Sequence, residues 1–548
     1  MDSIKLAGLL FPDITKTPDD YEKMFPPREL PEGAKVTRFA PSPTGFVHFG
    51  SLFPSMVGER LAHQSGGIFY LRIEDTDSKR EVKGAEADII NTYKIYDIIF
   101  DEGATADGGE TGAYGPYRQS HRAEIYQTFA KKLVEEGKAY PCFCTEEELN
   151  AMRAEQEAEK ITPGYFGKWA VWRDAPMERV EAALADGKPF VLRFRSEGSD
   201  RNKVKFTDLI KGSIELTENN IDHVLLKSDG IPTYHFAHAV DDHLMHTTHV
   251  IRGEEWLPSL PFHIQLFSAL GFRMPKYLHI SQLMKLENGS KKKLSKRDKE
   301  AGLSFFVAEG YPAATIKEYV MTLLNSNFED WRRANPSVPI NDFPFSIKKM
   351  SPSGTLFDFN KLNDVSKNTI ARMTADEVYD NVIDWAKTFD NELYEILTAD
   401  RDKAVSIFAV GRGGKKPRRD FTIWKDVKPF ISVYYDDLFE RTDPYPDGFS
   451  KDDIRSALEK FLETYDPDDD MDTWFGKIKD ISVSLGYAAE TKEYKAEPDK
   501  YKGHVGDISG FIRIALTGKT NSPDMYAIMQ IIGSDSTVRR IKKALELI

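Results

Sequence analysis

The stretch from Val36 to Ile73 leaves this chain the least freedom. VTRFAP at 36–41 is short and apolar, is followed by the turn signal SPTG, and predicts a buried strand. From His48 to about Gly66 the apolar residues Leu52, Phe53, Met56, Val57 and Leu61 recur at helical spacing, and Gly66-Gly67 ends the run. IFYLRI at 68–73 predicts a second strand. A strand, a tight loop, a helix and another strand in so short a span close as a parallel pair with a right-handed crossover. Such a sheet binds its ligands at the carboxyl ends of its strands, where the 42–48 loop sits.

THVIRG at 248–253 resumes the pattern, followed by a helix at 257–270 and an extended YLHISQLMKL at 277–286. Between the two stretches, from about 105 to 225, lie a Gly-rich loop, helices, a Glu/Ala-rich segment at 146–159 and β-rich pieces such as PFVLRFRS. This predicts a domain inserted into the α/β fold. After about residue 310 the apolar residues fall on helical faces: Ile316, Tyr319, Val320, Leu323 and Leu324, then Ile454, Leu458, Phe461 and Leu462, then Val538, Ile541, Leu545 and Ile548. Residues 1–35 read as an irregular lead-in, and RTDPYPDG at 441–448 and the acidic run at 463–472 as linkers.

At 548 residues the chain needs more than one core. With 41% hydrophobic and 29% charged residues it has an ordinary globular composition, and no apolar run is long enough to span a bilayer. The amino terminus has no signal-peptide pattern, and two cysteines make no disulfide framework, which fits a reducing cytoplasm. A net charge of −13 confines any nucleic-acid contact to local patches. One candidate is GRGGKKPRRDFTIWK at 411–425, where Arg412, Lys415, Lys416, Arg418 and Arg419 lie beside Phe421 and Trp424. Composition alone favours a solvated loop there.

Two segments carry phosphate chemistry. In RFAPSPTGFVHFGS a strand runs through a Gly-containing loop into a helix start, where free backbone N–H groups and the helix dipole favour phosphate. His48 can donate to charge building on a phosphate, and Gly50 permits close approach. Alone, this is equally a His at the head of a helix. KKKLSKRD at 291–298 is either a solvated basic loop or a mobile pair of ammonium groups, Lys293 and Lys296, that neutralise a departing pyrophosphate.

Together the two are specific. RFAPSPTGFVHFGS resembles the first signature of class I aminoacyl-tRNA synthetases and KLSKR the second, and the wording RFAPSPTG is similar to the bacterial glutamyl-tRNA synthetase form. LRIEDTD at 71–77, PTYHFAHAVDDHLM at 232–245 and HVIRGEEW at 249–256 resemble further parts of that family, as does IRIALTGKTNSPDMYAIMQIIG near 512–533. Ser51 departs from the widest signature, which has a second His there; a hydroxyl keeps a donor but not the imidazole.

The resemblance implies an α/β protein: a Rossmann-type class I catalytic domain with an inserted acceptor-binding domain, then all-α anticodon-binding domains. The implied parts are catalytic, 1–109 and 226–310; inserted acceptor-end domain, 110–225; stem-contact region, 311–365; helical anticodon-binding domains, 366–455 and 456–548. It implies ligation of L-glutamate to tRNA(Glu) through a glutamyl-adenylate, with ATP as substrate and Mg²⁺ on the phosphates, in a cytoplasmic monomer. His48, Lys293 and Lys296 would be catalytic, and Gly50, Ser51, Glu255, Trp256 and Ser295 would complete the ATP site. Arg38 and Arg252 would face the glutamate side-chain carboxylate with Tyr234, Glu74 would hold the α-ammonium, and Ala40 and Ser42 would line the pocket. His238 would touch the α-carboxylate or pack. Lys415, Lys416, Arg418, Arg419 and Trp424 become tRNA contacts. Glutaminyl-tRNA synthetase and a catalytically silent tRNA-binding relative are the alternatives.

Neither metal pattern in the sequence closes a site. His235, His238, His243, His246 and His249 cluster, but the resemblance already employs part of that segment. Cys142 and Cys144 form a CxC pair like one that holds zinc in some relatives, yet TPGYFGKWAVW at 162–172 supplies no second Cys/His pair, so no zinc is expected.

Overall fold

The computed structural model describes residues 2–45, 47–77, 80, 82–294, 302–414 and 416–548. It divides into two compact units, Met1–Phe305 with Lys317–Asp358, and Phe306–Ile316 with Phe359–Ile548.

In the first unit β1 (Val36–Phe39) and β2 (Ile68–Leu71) pair in parallel, with Val36 opposite Ile68. The helix Phe49–His63 crosses between them, burying Leu52, Phe53, Met56, Val57 and Leu61 as the periodicity requires. β3 (Glu102–Ala104) adds in parallel to β2, and β4 (Glu110–Thr111) runs antiparallel to β3. The chain then leaves for a separate antiparallel sheet of β5 (Ala139–Cys142), β6 (Val191–Phe194) and the later β9 (Val224–Leu226); between β6 and β9 in the chain, β7 (Lys203–Asp208) and β8 (Gly212–Thr217) form a two-stranded hairpin sheet of their own. The helix Tyr234–Leu244 leads back to β10 (His249–Gly253), which pairs in parallel with β11 (Lys276–Ile280). Thr248, just before β10, ties it to the first sheet: its N–H donates to the Val36 carbonyl at 2.9 Å, and its hydroxyl accepts the Val36 N–H at 2.9 Å. The edge at the strand carboxyl ends is therefore built from two chain segments separated by the whole insertion. A last small sheet joins β12 (Leu283–Glu287), β13 (Ser290–Lys293) and β14 (Thr355–Leu356).

The amino-terminal segment corrects the expectation of an irregular lead-in. Ser3–Leu10 and Pro18–Met24 are helices, the second opened by a Thr17–Asp20 capping box with Pro18 in its first turn. Leu6, Ala7 and Leu10 are buried in the core that includes Ile125, Phe129 and Leu133 of the helix Ala123–Glu135. Arg28 then clamps Glu102 with two bonds of 2.7 and 2.8 Å. The TPDD signal for the second helix is present in the sequence, but in a segment too short for periodicity to show.

The second unit is helical, and the described residues place Val382, Leu397, Leu458, Ile478, Ile512 and Ile528 in one core. The acidic segment expected as a linker spans the end of the helix Lys451–Thr464 and the start of Met471–Ser484, so only its middle connects. Arg540, 4% exposed, ties the carboxyl-terminal helix down through Asp436 and the carbonyls of Val433 and Leu516. No helix among the described residues is long and apolar enough to cross a membrane. Leu458 is fully buried, so Leu458→Ala should cost this unit about 3 kcal/mol by cavity formation. Hydrogen exchange of the buried amides around it should quicken by roughly a hundredfold.

Candidate active site

The carboxyl ends of β1, β2 and β10 deliver Arg38, Glu74 and Arg252 to one edge, and the helix Tyr234–Leu244 brings Tyr234, His238, Asp241 and Asp242 beneath them. Asp242 is the hub. Its carboxylate takes Arg38 Nε at 3.2 Å, Arg72 Nη1 at 2.7 Å and lies 2.7 Å from His238 Nδ1. Arg72 reaches on to Glu74 at 3.1 Å. Asp241 beside it accepts from Arg122 at 2.7 Å, Tyr126 at 2.8 Å and Gln119 at 2.9 Å. Burial would push Asp242 up, but Arg38 and Arg72 hold it well below the usual carboxylate range. Glu74 has a weaker share of the arginines, and burial pushes it up to about 7. Among the described residues all Arg38 side-chain hydrogen bonds run through Nε to Asp242.

Arg252 is held differently. Its Nε donates to His279 Nε2 at 3.0 Å and its Nη1 lies 3.3 Å from His263 Nδ1. Burial keeps both rings below their ordinary pKa, so they are neutral acceptors. The guanidinium is 4.6 Å from the Tyr277 ring centre and 5.9 Å from that of Trp256. Arg252 is 6% exposed, and its Nη2 is buried with no hydrogen-bond partner among the described residues. A buried guanidinium N–H left open is costly unless something anionic meets it. Tyr234 packs against Trp256 with ring centres 4.3 Å apart and planes tilted by 33°; burial raises its pKa, and Arg252, Glu74 and Arg38 all act on it electrostatically.

Of the residues singled out in the sequence, Arg38, Glu74, Tyr234 and Arg252 come together at this edge. Ala40 is half-buried and Ser42 exposed on the loop after β1. His238 is corrected. It is fully buried, with Nδ1 2.7 Å from Asp242 but making no hydrogen bond among the described residues and Nε2 at 2.8 Å from the Tyr277 hydroxyl, which is the packing alternative. Asp75 beside Glu74 accepts the Ser120 N–H at 2.8 Å and the Ser120 hydroxyl at 2.5 Å.

His48 occupies the N-cap position of the helix Phe49–His63 in extended conformation, and a Cβ on Gly50 would come within 3.1 Å of its Nδ1. Gly50 is thus the residue that lets the imidazole lie over the helix start. Ser51 N–H closes the first turn on the His48 carbonyl at 2.8 Å. Glu255 is exposed, its carboxylate folded back on Gly253. Lys293 is exposed at the end of β13, opposite Met284. Ser295, Lys296 and Arg297 of the second motif lie outside the described residues, as does Lys415.

Of the basic segment, Lys416 and Arg419 are exposed and Arg418 is paired with Asp420 at 2.8 Å. Trp424 is corrected: at 3% exposure it is part of the helical core, so it cannot stack on a base. Among the described residues no three His, Cys, Asp or Glu groups are placed to hold a metal. At the CxC pair, Tyr165 from 162–172 meets Cys144 Sγ at 3.6 Å.

Sequence reasoning missed Arg72, Arg122, Asp241 and Asp242. Charged residues in LRIEDTD and VDD carry no sign of burial, and only the packing of the helix against the sheet shows it. Asp242→Ala would strand two buried guanidiniums; chemical denaturation should show about 3 kcal/mol lost, and less for Asp242→Asn.

A model for the class I tRNA synthetase (E and Q) catalytic domain matches residues 35–332, and an anticodon-binding-domain model matches 489–545. The chain is 52% identical to a glutamate–tRNA ligase of Acetivibrio thermocellus over 547 residues, covering 100% of both chains. It is 48% identical to one from Clostridium perfringens, covering 99% of each. Among solved structures, a glutamate–tRNA ligase from Elizabethkingia meningosepticum in complex with its amino acid superposes with a TM-score of 0.73 at 28% identity, covering 93% of this chain and 99% of that one. With its two-segment nucleotide-binding sheet and full-length relatives of one kind, the chain belongs to the glutamate–tRNA ligases of the class I (E and Q) tRNA synthetases.

Proposed function

We propose that this protein ligates L-glutamate to tRNA(Glu) in two steps, using ATP. The observation that carries the reading is the Arg252 guanidinium, held by two neutral imidazoles with Nη2 left open, near Arg38 and Tyr234. A side-chain carboxylate accepts a fork of N–H donors in its plane. Glutamine would turn its amide N–H₂ toward Arg N–H, so the same fork discriminates against it. Glu74 takes the α-ammonium.

In the first step an α-carboxylate oxygen attacks the ATP α-phosphorus and the bond to pyrophosphate breaks, leaving glutamyl-adenylate. His48 at the helix start donates to the phosphate charge, and Lys293 and Lys296 neutralise the leaving pyrophosphate. Glu255 and Trp256 lie beside the nucleoside, and Gly50, Ser51 and Ser295 line the phosphates. Mg²⁺ bound with the triphosphate would supply charge neutralisation beside Lys293 and Lys296. In the second step the terminal ribose hydroxyl of the tRNA attacks the acyl carbon and AMP leaves.

The insertion at 110–225 suits the acceptor end and the helical parts, 366–455 and 456–548, suit the anticodon, with Lys415, Lys416, Arg418 and Arg419 as phosphate contacts. Its substrates are those of translation, which supports a cytoplasmic setting, and a monomer is the family's expectation.

ATP–pyrophosphate exchange tests the reading. Exchange should appear with glutamate once tRNA(Glu) is added. Its absence with and without tRNA sinks the proposal, and exchange with glutamine alone selects the glutaminyl reading. The raised Glu74 pKa adds a pH signature. Below about pH 7 the free site is protonated, and an ammonium beside Glu74 must displace that proton. Glutamate affinity should therefore fall about tenfold per pH unit below that value and stay level above it. Calorimetry in buffers of different ionisation enthalpy should detect the released proton, and Glu74→Gln should remove the dependence.

A further inference from the structure

The Arg252 fork is aimed by a residue from the insertion. β7 ends at Asp208, which is 1% exposed and whose four hydrogen bonds use both oxygens. Oδ1 accepts the N–H groups of Ile210 and Lys211, each at 2.8 Å, and so shapes the hairpin turn. Oδ2 accepts the His279 N–H at 3.1 Å and His279 Nδ1–H at 2.7 Å. The turn is pinned on the sheet as well: Leu209 N–H donates to the Tyr277 carbonyl at 3.0 Å, and Lys211 Nζ reaches Glu254 at 2.5 Å and Ser281 at 2.6 Å.

The proton positions follow from donor chemistry. Arg252 Nε can only donate, so His279 Nε2 must carry the lone pair and Nδ1 the hydrogen. A carboxylate at Nδ1 enforces that tautomer. We propose that Asp208 is a positioning residue for amino-acid selection: through His279 it fixes Arg252 so that the open Nη2 edge faces the substrate carboxylate. The inference rests on Arg252 being the side-chain carboxylate partner. It makes the inserted hairpin part of the specificity apparatus, although no atom of it need touch glutamate.

Asp208→Asn is the discriminating variant. The amide oxygen can keep the turn N–H bonds, which leaves NH₂ facing His279. The ring must then accept at Nδ1 and carry hydrogen at Nε2, against Arg252 N–H. With tRNA present, Asp208→Asn should raise the KM for glutamate by about tenfold or more and leave the KM for ATP within about twofold. Discrimination against glutamine should fall with it. His279→Leu should do the same, and His279→Gln, whose amide can accept from Arg252 and donate to Asp208, should recover most of the loss. The pair at 279 decides the matter if Asp208→Asn does not fold. Equal losses for glutamate and ATP, or a His279→Gln as poor as His279→Leu, would overturn the proposal and leave Asp208 a turn residue. Arg252→Gln separates the two ideas. If it spares the glutamate KM, the reading of Arg252 fails and takes the proposal with it. If it raises that KM while the 208 and 279 variants do not, the positioning role alone fails.

Discussion

Two adjacent carboxylates, Asp241 and Asp242, on one turn of the helix Tyr234–Leu244 hold the catalytic edge together. Both are fully or almost fully buried, and each is met by arginine. Isolated, such charges would be prohibitive in an apolar core. Here the desolvation is offset because Arg38 comes from β1, Arg72 from just after β2 and Arg122 from the start of the helix Ala123–Glu135. The cluster therefore acts as a joint between the first half of the sheet, the insertion boundary and the returning helix. It also sets geometry: Arg38 is held through Nε, which leaves the outer edge of its guanidinium directed away from the joint.

The second arginine, Arg252, has no carboxylate in contact among the described residues. Neutral imidazoles accept from Arg252 at two positions and leave its charge less compensated than that of Arg38. His263 carries the same arrangement one step further, to His235 Nδ1 at 2.9 Å. The histidine cluster that tempts a metal reading in the sequence is in part a scaffold for one guanidinium.

Much of the site was legible without coordinates because the sequence patterns were long. RFAPSPTGFVHFGS, HVIRGEEW and PTYHFAHAVDDHLM each keep several chemistry-bearing residues in order, and Arg38, Glu74, Tyr234 and Arg252 do meet at one edge. The 411–425 segment shows the opposite. Its aromatic and basic mixture suggests stacking on nucleic acid, but Trp424 and Phe421 serve the helical core, and Arg412 spends its donors on the carbonyls of Phe408, Ile370 and Met373. A tryptophan's role depends on which face is covered, and composition does not record that.

Hydrophobic period and local signals settled where strands and helices run, because those depend on residues a few positions apart. They settled the parallel β1–β2 unit, the helical carboxyl half and the helix start at His48. Tertiary structure alone decided which charges became buried, since Asp242 meets Arg38 from 204 positions away and Asp208 meets His279 from 71. It also decided that His238 is a packed strut and His279 a directed acceptor. An imidazole has the same formula in either role, and only its neighbours choose the tautomer.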